Sequence, residues 1–484
     1  MNRPEPSGPK RMLFTTSSFS AGDMRDRCGD DCYSYFFVCR AFAPLLERWG
    51  SLTEIAQPES RLEAALAAAR RENIEAAHLS FLPLQTMHVA PGAINIAFPF
   101  WEFPDIPDYD VAGNPRNNWV SVSRGLSLIL TACRFTRDAF VRAGVTTPIR
   151  VVTVPARQQY FDTPDWQPGQ QVVIDCPAYH LRELPPAAAP PPPRGLGERA
   201  RWTYKNRLRP YLPRRLDRCL AGASRAVLGR PPQPIAVETR LPFQATGPLR
   251  LEGVVYSTIL NPFDLRKNWG LLTQAFLTAL ADNDDAMLVV KLAVSKTMTR
   301  AGLEAFFSHY QSLRLRHRCR LAVVSSFLDD QQMVELVRGS TYYLNASKAE
   351  GACLPLQDAL AAGRPGIAPS HTALAEYVDD ELAFVVPSRA EPTHWPWDAE
   401  RRITTSWQRI DPRALAEQIR QSYQVARGDR PRYTAMAECA RQRMEGLVSA
   451  HSVWPRLAEA LRVIRQVPAG GPSWQPHATG RLVS

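Results

Sequence analysis

NASKAEGACLPLQDALAAGRPGIAP, residues 345–369, carries the strongest structural pattern in this chain. Just before and into it, residues 341–347 alternate and are rich in β-forming side chains, which predicts a strand. Apolar residues then recur at helical spacing after Pro355, a residue that suits the first turn of a helix. The sequence therefore predicts a strand, a tight turn at Gly351 and a helix, in that order.

A strand, turn and helix in this order offer an anion site. Free N–H groups at positions 353–356 would point out of the helix start, where the helix dipole favours a diphosphate. One carboxylate, Glu350, precedes the turn, and a second, Asp358, lies about one turn inside the helix. Because carboxylates only accept hydrogen bonds, they can hold hydroxyls of a sugar and of a ribose. The candidate donor-binding residues in the turn are Gly351, Ala352, Cys353 and Leu354. The alternative is a buried helix start in any doubly wound α/β domain.

The spacing of Glu350 and Asp358 resembles the Glu-x7-Glu signature of glycosyltransferase family 4, which comprises retaining enzymes of the GT-B fold. The resemblance implies that Glu350 contacts the donor sugar and that Asp358 contacts the ribose. Asp358 is one methylene shorter than the Glu of the signature. The resemblance covers residues 251–386 well and the first 155 residues loosely.

A β-rich run at residues 251–260 predicts another strand. The segment STILNPFDLRKNWGLLTQAF, which overlaps its end, contains a basic pair at a predicted loop-to-helix junction. A fixed cation there would stabilise the negative charge that the departing nucleotide gains. Lys267 and Asn268 resemble the family's Lys-Gly or Lys-Asn pair. The family usually has an Arg about six positions before that Lys, where this chain has Asn261, so Arg266 is the candidate substitute. The alternative, a solvated helix start, places cations at the unfavourable end of the dipole.

Strands and helices alternate between these two segments, which predicts a parallel sheet. The third strand of this half ends near Ser326 and Phe327, where open α/β sheets bind ligands. In the family this loop faces the base. Downstream, His371 follows the signature in a loop that screens the family's active site, and it is a candidate cleft residue.

The N-terminal half is predicted to be a second α/β unit, which begins with a strand at Arg11–Thr16 and matches the family less closely. Many relatives have a histidine near the reacting sugar, where this chain has Trp101 and Glu102. Glu102 could contact donor or acceptor from the facing domain, or it could be a structural carboxylate beside Trp101. Trp395, Trp397 and Trp407 could stack on an acceptor sugar or fill a local cluster.

Composition narrows the class of protein. The chain has 484 residues, of which 45% are hydrophobic, enough for two packed domains. Neither a secretory signal nor an apolar run of about 18 residues is present, so a cytoplasmic location is predicted. Nine scattered cysteines do not form a disulfide framework. Cys28 and Cys32 lack a second pair at zinc-ligand spacing, so no metal site is predicted.

Charge singles out a segment that the family pattern does not explain. Between Arg194 and Arg230 there are 11 Lys and Arg against 2 Asp and Glu, which accounts for +9 of the net charge of +11. Apolar positions recur at helical spacing from Leu212, so a basic amphipathic helix could lie on an anionic membrane. A solvated helix packed on its own domain is the alternative. Nucleic acid is not predicted as a partner, because no recognition motif accompanies the charge.

The sequence thus predicts an α/β protein of the GT-B class, with two facing Rossmann-like domains and a central cleft. The predicted division is an N-terminal acceptor domain at residues 1–157, a Pro-rich basic insertion and linker at 158–248, a nucleotide-sugar domain at 249–450, a terminal helix at 451–467 and a loose tail at 468–484. The resemblance implies a hexosyltransferase that moves a sugar, with retention, from a nucleotide-sugar to a saccharide or lipid-linked saccharide in surface polysaccharide synthesis. It implies no cofactor. Two alternatives stay open, a sugar-nucleotide epimerase or phosphorylase and a non-catalytic binding subunit.

Overall fold

The computed structural model describes residues 11–20, 22–181, 241–396, 398 and 400–462. The residues from Arg11 to Leu181 and from Ala245 to Arg462 that it describes belong to one compact unit. The basic segment between Arg194 and Arg230, Trp397 and the predicted tail lie outside the described residues. No described helix is both long and apolar enough to cross a membrane.

The N-terminal half is built on a six-stranded parallel sheet with the order β2-β1-β3-β4-β5-β6. Its strands are β1 (Arg11–Thr16), β2 (Ser51–Glu54), β3 (Glu75–Ser80), β4 (Asn95–Ala97), β5 (Leu128–Thr131) and β6 (Ile149–Val151). The helices of this half are α1 (Met24–Arg27), α2 (Tyr33–Leu46), α3 (Pro58–Arg71), α4 (Trp119–Ser123), α5 (Arg134–Arg142) and α6 (Gln158–Phe161). This arrangement is the doubly wound unit that the alternating pattern predicts.

The C-terminal half is built on an eight-stranded sheet with the order β16-β15-β14-β11-β12-β13-β8-β9. The strands of this half are β7 (Gln171–Ile174), β8 (Ala178–Leu181), β9 (Ala245–Thr246), β10 (Leu249–Glu252), β11 (Val254–Leu260), β12 (Ala286–Leu292), β13 (Arg320–Val324), β14 (Tyr342–Leu344), β15 (Gly366–Pro369), β16 (Ala383–Val386), β17 (Ser388–His394) and β18 (Thr404–Ile410). Its helices are α7 (Trp269–Ala279), α8 (Thr299–Leu313), α9 (Asp330–Gly339), α10 (Leu354–Ala361), α11 (Pro412–Gly428), α12 (Arg430–Val448) and α13 (Ala450–Arg462).

The six strands from β16 to β13 in this sheet are parallel, and the strand order reverses between β11 and β14. Ligands of open α/β sheets bind outside the carboxyl ends of the strands at such a reversal. The loop after β11 contains Arg266 and Lys267, and the loop after β14 contains Glu350. The topology therefore brings the two segments singled out by sequence to the same edge.

Two sequence expectations need correction. The run at residues 251–260 is not one strand, because Gly253 has a φ of +79° and separates β10 from β11. A methyl group at Gly253 would lie 2.1 Å from the Asp285 carbonyl oxygen. Residues 158–248 are also more than a linker, since β8 pairs antiparallel with β13 and β9 pairs with β8. The C-terminal sheet therefore begins earlier in the chain than the composition suggested.

The end of the chain returns to the N-terminal half. Val453 and Leu457 of α13 share a buried cluster with Leu13, Val38 and other residues of the N-terminal sheet. The antiparallel hairpin β17–β18 also contacts that half. Trp407 of β18 and Trp395, just after β17, pack against a buried cluster of the N-terminal half that includes Leu84 and Phe140. These contacts make the two halves of the compact unit pack directly on one another.

Candidate functional site

The strand, turn and helix predicted around Glu350 are present as β14, a turn and α10. The backbone bends sharply before α10, because Cys353 has a φ of +59°. Among the described residues, no hydrogen bond uses the backbone N–H groups of Gly351, Ala352, Cys353 or Leu354. The sequence also predicted free donors at positions 355 and 356, and this is wrong, because Pro355 has no N–H and Leu356 donates to the Cys353 carbonyl at 3.0 Å. Four consecutive N–H groups thus remain for an anion.

Gly351 also places this turn close to the N-terminal half. A methyl group there would lie 3.2 Å from the Trp101 carbonyl oxygen, a tighter approach than most side chains make. The Cys133 thiol, at the N-cap of α5, donates to the Gly351 carbonyl at 3.3 Å. The turn therefore lies between the two halves rather than on one of them.

Lys267 and Glu350 form the central ion pair of the site. The Lys267 ammonium donates to Glu350 Oε1 at 2.8 Å, and the Glu350 side chain is only 4% exposed. Burial raises the pKa of Glu350, but Lys267 and then Arg266 outweigh burial and hold it at about 2. Burial lowers the pKa of Lys267, and Glu350 more than reverses this, so the pKa is above its ordinary value. Both groups are therefore charged near neutral pH.

The sequence did not single out Asn345, which also contacts Glu350. Its amide donates to Glu350 Oε1 at 3.4 Å and to the Cys353 sulfur at 3.1 Å, while its carbonyl oxygen accepts from the Ser347 N–H at 2.7 Å. The predicted strand, residues 341–347, contained Asn345, whereas the observed strand β14 ends at Leu344 and so places Asn345 at its carboxyl end, where ligands of such sheets bind. Asn345 therefore orients the carboxylate and the loop that carries it.

Arg266 was predicted to assist the departing phosphate, but its guanidinium is already engaged. Nε lies 2.9 Å from Glu102 Oε1, Nη2 donates to Asp264 at 2.6 Å and Nη1 donates to the Ala349 carbonyl at 3.1 Å. Asn261, at the position where the family has its Arg, donates to the Gly29 carbonyl at 3.0 Å. Within the described loop after β11, Lys267 is the cation that pairs directly with Glu350, the residue just before the free N–H groups.

Glu102 is the residue of the N-terminal half that reaches this site. Its side chain is 13% exposed. Burial raises the pKa of Glu102 above its ordinary value, although Arg266 acts in the opposite direction. Its neighbour Trp101 does not face the cleft, because its indole stacks among Trp119 and Trp395 and donates to the Asp105 carbonyl. Of the two predicted acceptor residues, only Glu102 touches the charged cluster.

Asp358 lies one turn inside α10 and is partly buried. Burial raises its pKa to about 7, and Arg157 acts weakly in the opposite direction. No hydrogen bond of the Asp358 carboxylate occurs among the described residues. Its charge also raises the pKa of Tyr160, after burial, which places Tyr160 and Arg157 in its neighbourhood. The sequence did not single out Arg157 or Tyr160.

Two of the remaining predicted residues, Asn268 and Phe327, hold loops in place. Asn268 has a φ of +50° and donates to the Ala346 carbonyl at 3.1 Å, so it joins the loop after β11 to the loop after β14. Phe327 packs against Phe19, Met24 and Phe36 of the N-terminal half. Ser326 Oγ is buried and has no hydrogen-bond partner among the described residues.

His371 is 6% exposed and both of its ring nitrogens have partners. Nε2 lies 3.0 Å from the Ser347 carbonyl, so it carries the proton, and Nδ1 lies 3.2 Å from the Thr372 hydroxyl. Burial lowers the pKa of His371 to about 4, so the imidazole is neutral near pH 7. The expectation that His371 faces the cleft is corrected, because its ring fixes the loop behind Glu350.

Comparison with known proteins identifies the fold of this chain. No protein-family model matches the chain, and no curated protein is recognisably similar to it in sequence. Solved structures do match. HepE of Anabaena, in a complex with UDP and glucose, is 12% identical and has a TM-score of 0.51, and the match covers 94% of this chain and 99% of HepE. Sucrose-phosphate synthase from Thermosynechococcus elongatus is 12% identical with a TM-score of 0.52, covering 94% and 100% of the two chains. A glycosyltransferase from Rickettsia africae is 11% identical with a TM-score of 0.50, covering 95% and 100%.

At these identities the likeness establishes the architecture. The chain has the α/β GT-B fold, with two Rossmann-like domains, as the sequence predicts. The ion pair of Lys267 and Glu350 lies at the strand-order reversal of the second of these domains. A shared fold alone does not assign a function, so the function must follow from the residues of this site.

Proposed function

We propose that this chain is a retaining glycosyltransferase that moves a hexose from a nucleotide-sugar donor to a saccharide or lipid-linked saccharide acceptor. The observation that carries this proposal is the charged Lys267–Glu350 pair beside four unpaired backbone N–H groups at the start of α10. The N–H groups suit a diphosphate, and a buried carboxylate that is charged near neutral pH suits the hydroxyls of a sugar. The bound UDP and glucose of HepE, which shares the fold, agree with such a donor.

Lys267 supplies the charge that the departing nucleotide requires. Its ammonium has three N–H donors, of which one is directed at Glu350, so two remain for phosphate oxygens. The N–H groups of Gly351 to Leu354 add further donors without a counter-charge. Donors that are fixed before the reaction stabilise the developing negative charge without reorganisation. These groups neutralise the diphosphate in the proposal, and no cofactor takes part.

The proposed transfer proceeds on one face of the sugar. The bond between the anomeric carbon and the diphosphate oxygen breaks, and the acceptor oxygen bonds to the same face of that carbon. The acceptor hydroxyl gives its proton to the departing phosphate oxygen, so the charges balance. Glu350 is not the nucleophile in this proposal, because its Oε1 is held by Lys267 and Asn345. Its carboxylate instead orients the donor sugar.

The acceptor side of the proposal depends on Glu102 and on the basic segment. Glu102 brings a carboxylate of the N-terminal half to the charged cluster, where an acceptor hydroxyl would approach. The +9 charge between Arg194 and Arg230 suits an anionic membrane surface, and a peripheral enzyme of the cytoplasmic face would meet a lipid-linked acceptor there. Surface polysaccharide synthesis is the setting that this combination favours.

The test is nucleotide release from a panel of UDP-, GDP- and dTDP-sugars, with and without detergent-solubilised lipid-linked acceptors. Three proteins are compared, the wild type, Glu350→Gln and Glu381→Gln. Glu381 is a matched control, because its carboxylate is 71% exposed and pairs with Arg443 at the surface. Release that needs an acceptor, and that only Glu350→Gln abolishes, is the expected result. The anomeric configuration of the product, read by NMR, then tests retention.

A non-catalytic, nucleotide-sugar-binding subunit is the second candidate. The observation that favours it is that Arg266 and Asn261 are already engaged with protein groups, which leaves Lys267 to contact a phosphate from the described loop after β11. Binding of a nucleotide-sugar by calorimetry, without release under any acceptor condition, would favour this candidate. Turnover without an acceptor, or turnover that requires phosphate, would indicate the epimerase or phosphorylase alternative.

A further inference from the structure

The turn Thr372–Glu376, which follows β15, begins with an unfavourable backbone conformation. Thr372 has a φ of +50°, in the left-handed region that favours glycine. Nine described residues other than glycine have a positive φ, and Thr372 is the only β-branched one among them. A β-branched residue is strained there because its Cβ substituents crowd the backbone. Such strain persists where surrounding contacts impose it, and it is frequent at functional sites.

The Thr372 side chain provides the contacts that impose this conformation. Its hydroxyl oxygen accepts a hydrogen bond from the Glu350 backbone N–H at 3.1 Å. The same hydroxyl lies 3.2 Å from His371 Nδ1, which accepts its proton, because Nε2 carries the ring proton toward the Ser347 carbonyl. The Ala373 N–H donates to the Glu350 carbonyl at 3.2 Å. Both backbone polar groups of Glu350 are therefore bound by this one turn.

The other end of the turn contacts the N-terminal half. Glu376 accepts from the backbone N–H groups of Arg134 and Phe135, at 2.6 and 3.1 Å, and so occupies the start of α5. A carboxylate is stable at a helix N-terminus. The turn therefore spans from Glu350 to the facing half, and its geometry is fixed at both ends.

We propose that Thr372 is a positioning residue whose hydroxyl holds Glu350 in place for its partner Lys267 and for the donor sugar. This inference rests on the proposed function, in which Glu350 orients the donor. A glycine at this position would relieve the backbone strain, but it would leave the Glu350 N–H and His371 Nδ1 without their shared partner. The strained backbone at Thr372 lowers stability, but it fixes the position of the Glu350 carboxylate. Active sites commonly combine lower stability with a fixed geometry.

The experiment compares Thr372→Gly, Thr372→Ser and a control, Arg314→Gly. Arg314 also has a φ of +50°, but it is exposed and follows the end of α8. We expect Arg314→Gly to raise the melting temperature, because glycine relieves the strain there, and we expect a smaller rise or a fall in Thr372→Gly, which also loses the two hydrogen bonds of the hydroxyl. Thr372→Gly is expected to lower kcat about tenfold with little change in KM for the donor. A loss of about tenfold is the effect of losing one hydrogen bond that matters mainly in the transition state. Arg314→Gly should keep wild-type kcat, and Thr372→Ser, which retains the hydroxyl, should stay within about twofold of it.

Hydrogen exchange of the Glu350 amide provides a readout that needs no substrate. It should accelerate in Thr372→Gly and stay unchanged in Thr372→Ser and Arg314→Gly. If the wild type transfers no sugar but this exchange pattern holds, the proposed function fails and the positioning of Glu350 by Thr372 stands. If the enzyme is active and Thr372→Gly retains both wild-type kcat and slow exchange, the positioning inference is overturned alone. Equal loss of activity in Thr372→Ser and Thr372→Gly would also overturn it.

Discussion

Arg266 Nε lies 2.9 Å from Glu102 Oε1, and this ion pair joins the two halves of the molecule. Both side chains are largely buried, at 14% and 13% exposure. Arg266 also pairs with Asp264 of its own loop at 2.6 Å. One guanidinium therefore pairs with two carboxylates, one from each side of the cleft. Arg266 acts first as a clamp between the halves.

Removal of Arg266 should destabilise the protein more than removal of Glu102. Arg266→Ala leaves Glu102 and Asp264 without their cation, and an unpaired buried charge costs about 3–5 kcal/mol. Glu102→Gln leaves Arg266 paired with Asp264 and should cost less. Urea denaturation of the two single variants and the double variant measures the coupling. A loss below about 1 kcal/mol in Arg266→Ala would show that the pair does not hold the halves together.

The Lys267–Glu350 pair should make stability depend on acid pH. The pKa of Glu350 is about 2 in the folded protein, against an ordinary value of 4.5. A lowered carboxyl pKa contributes stability above the unfolded value, and that contribution is lost as the pH falls from 4.5 toward 2. The shift corresponds to on the order of 3 kcal/mol.

The matched comparison is the double variant Lys267→Met, Glu350→Gln, which has neither charge. Its free energy of unfolding, measured from pH 2 to pH 6, should fall less steeply with acid than that of the wild type. Parallel pH profiles for the two proteins would contradict the lowered pKa. Lys267→Met alone should be the least stable of the three near pH 7, because it leaves the Glu350 carboxylate buried and unpaired.

Asp358 should make the stability of the protein depend on pH in the opposite direction. Burial raises its pKa to about 7, so the folded protein binds this proton more tightly than the unfolded chain. The resulting penalty is absent below about pH 4, grows as the pH rises and is complete above pH 7. Asp358→Asn should therefore stabilise the protein by about 1–3 kcal/mol at pH 8, allowing for partial solvent screening, and have little effect at pH 4.

Ligand binding gives a second check on Asp358. A ribose hydroxyl that donates to its carboxylate favours the ionised form, so UDP binding near pH 7 should release a proton. Calorimetry in two buffers of different ionisation enthalpy measures that proton, and Asp358→Asn should abolish its release. Proton uptake, or release that persists in the variant, would place the ribose elsewhere.

The sequence predicted those parts of the fold that depend on local periodicity. The strand at Arg11–Thr16 was predicted with its observed bounds, and α10 follows the turn at Gly351 as expected. Tertiary contacts override the local pattern at Gly253, where the close approach of Asp285 divides an apolar run into two strands. The antiparallel strand β8 was not predicted, because its partner β13 is far away in sequence.

The site shows the same limit at the level of single residues. Residue type and spacing were enough to single out Lys267 and Glu350, which the topology brings within 2.8 Å. The sequence could not show that the guanidinium of Arg266 forms an ion pair with Glu102, because the two residues come from opposite halves of the chain. It pointed to Thr372 as a residue that could approach the donor, but it could not show that Thr372 holds the Glu350 backbone, because that role depends on a backbone angle. Such partners become visible only when distant loops are placed together.

Gly29 closes the N-terminal half onto the strand ends of the C-terminal half. Gly29 has a φ of +101°, and a methyl group there would lie 2.4 Å from the Ala293 carbonyl oxygen. The Gly29 carbonyl accepts from Asn261, and the nearby Asp26 carbonyl accepts from the Lys296 N–H at 2.8 Å. Segment 22–32 is therefore bound at the ends of β11 and β12, beside the proposed donor site.

Gly29→Ala should release this segment, because backbone atoms cannot yield to a methyl group as a flexible side chain can. Trypsin cleavage at Arg25 and Arg27, both exposed, should accelerate about tenfold if opening of the segment becomes easier by about 1.4 kcal/mol. Gly92→Ala is the matched control, since Gly92 has a φ of +63° and open space around an added methyl. Gly92→Ala also places an alanine at a positive φ, but it should leave cleavage at these sites unchanged. Equal cleavage rates in the two variants would mean that segment 22–32 does not depend on this contact, and that the halves are held closed by the Arg266–Glu102 pair and α13 instead.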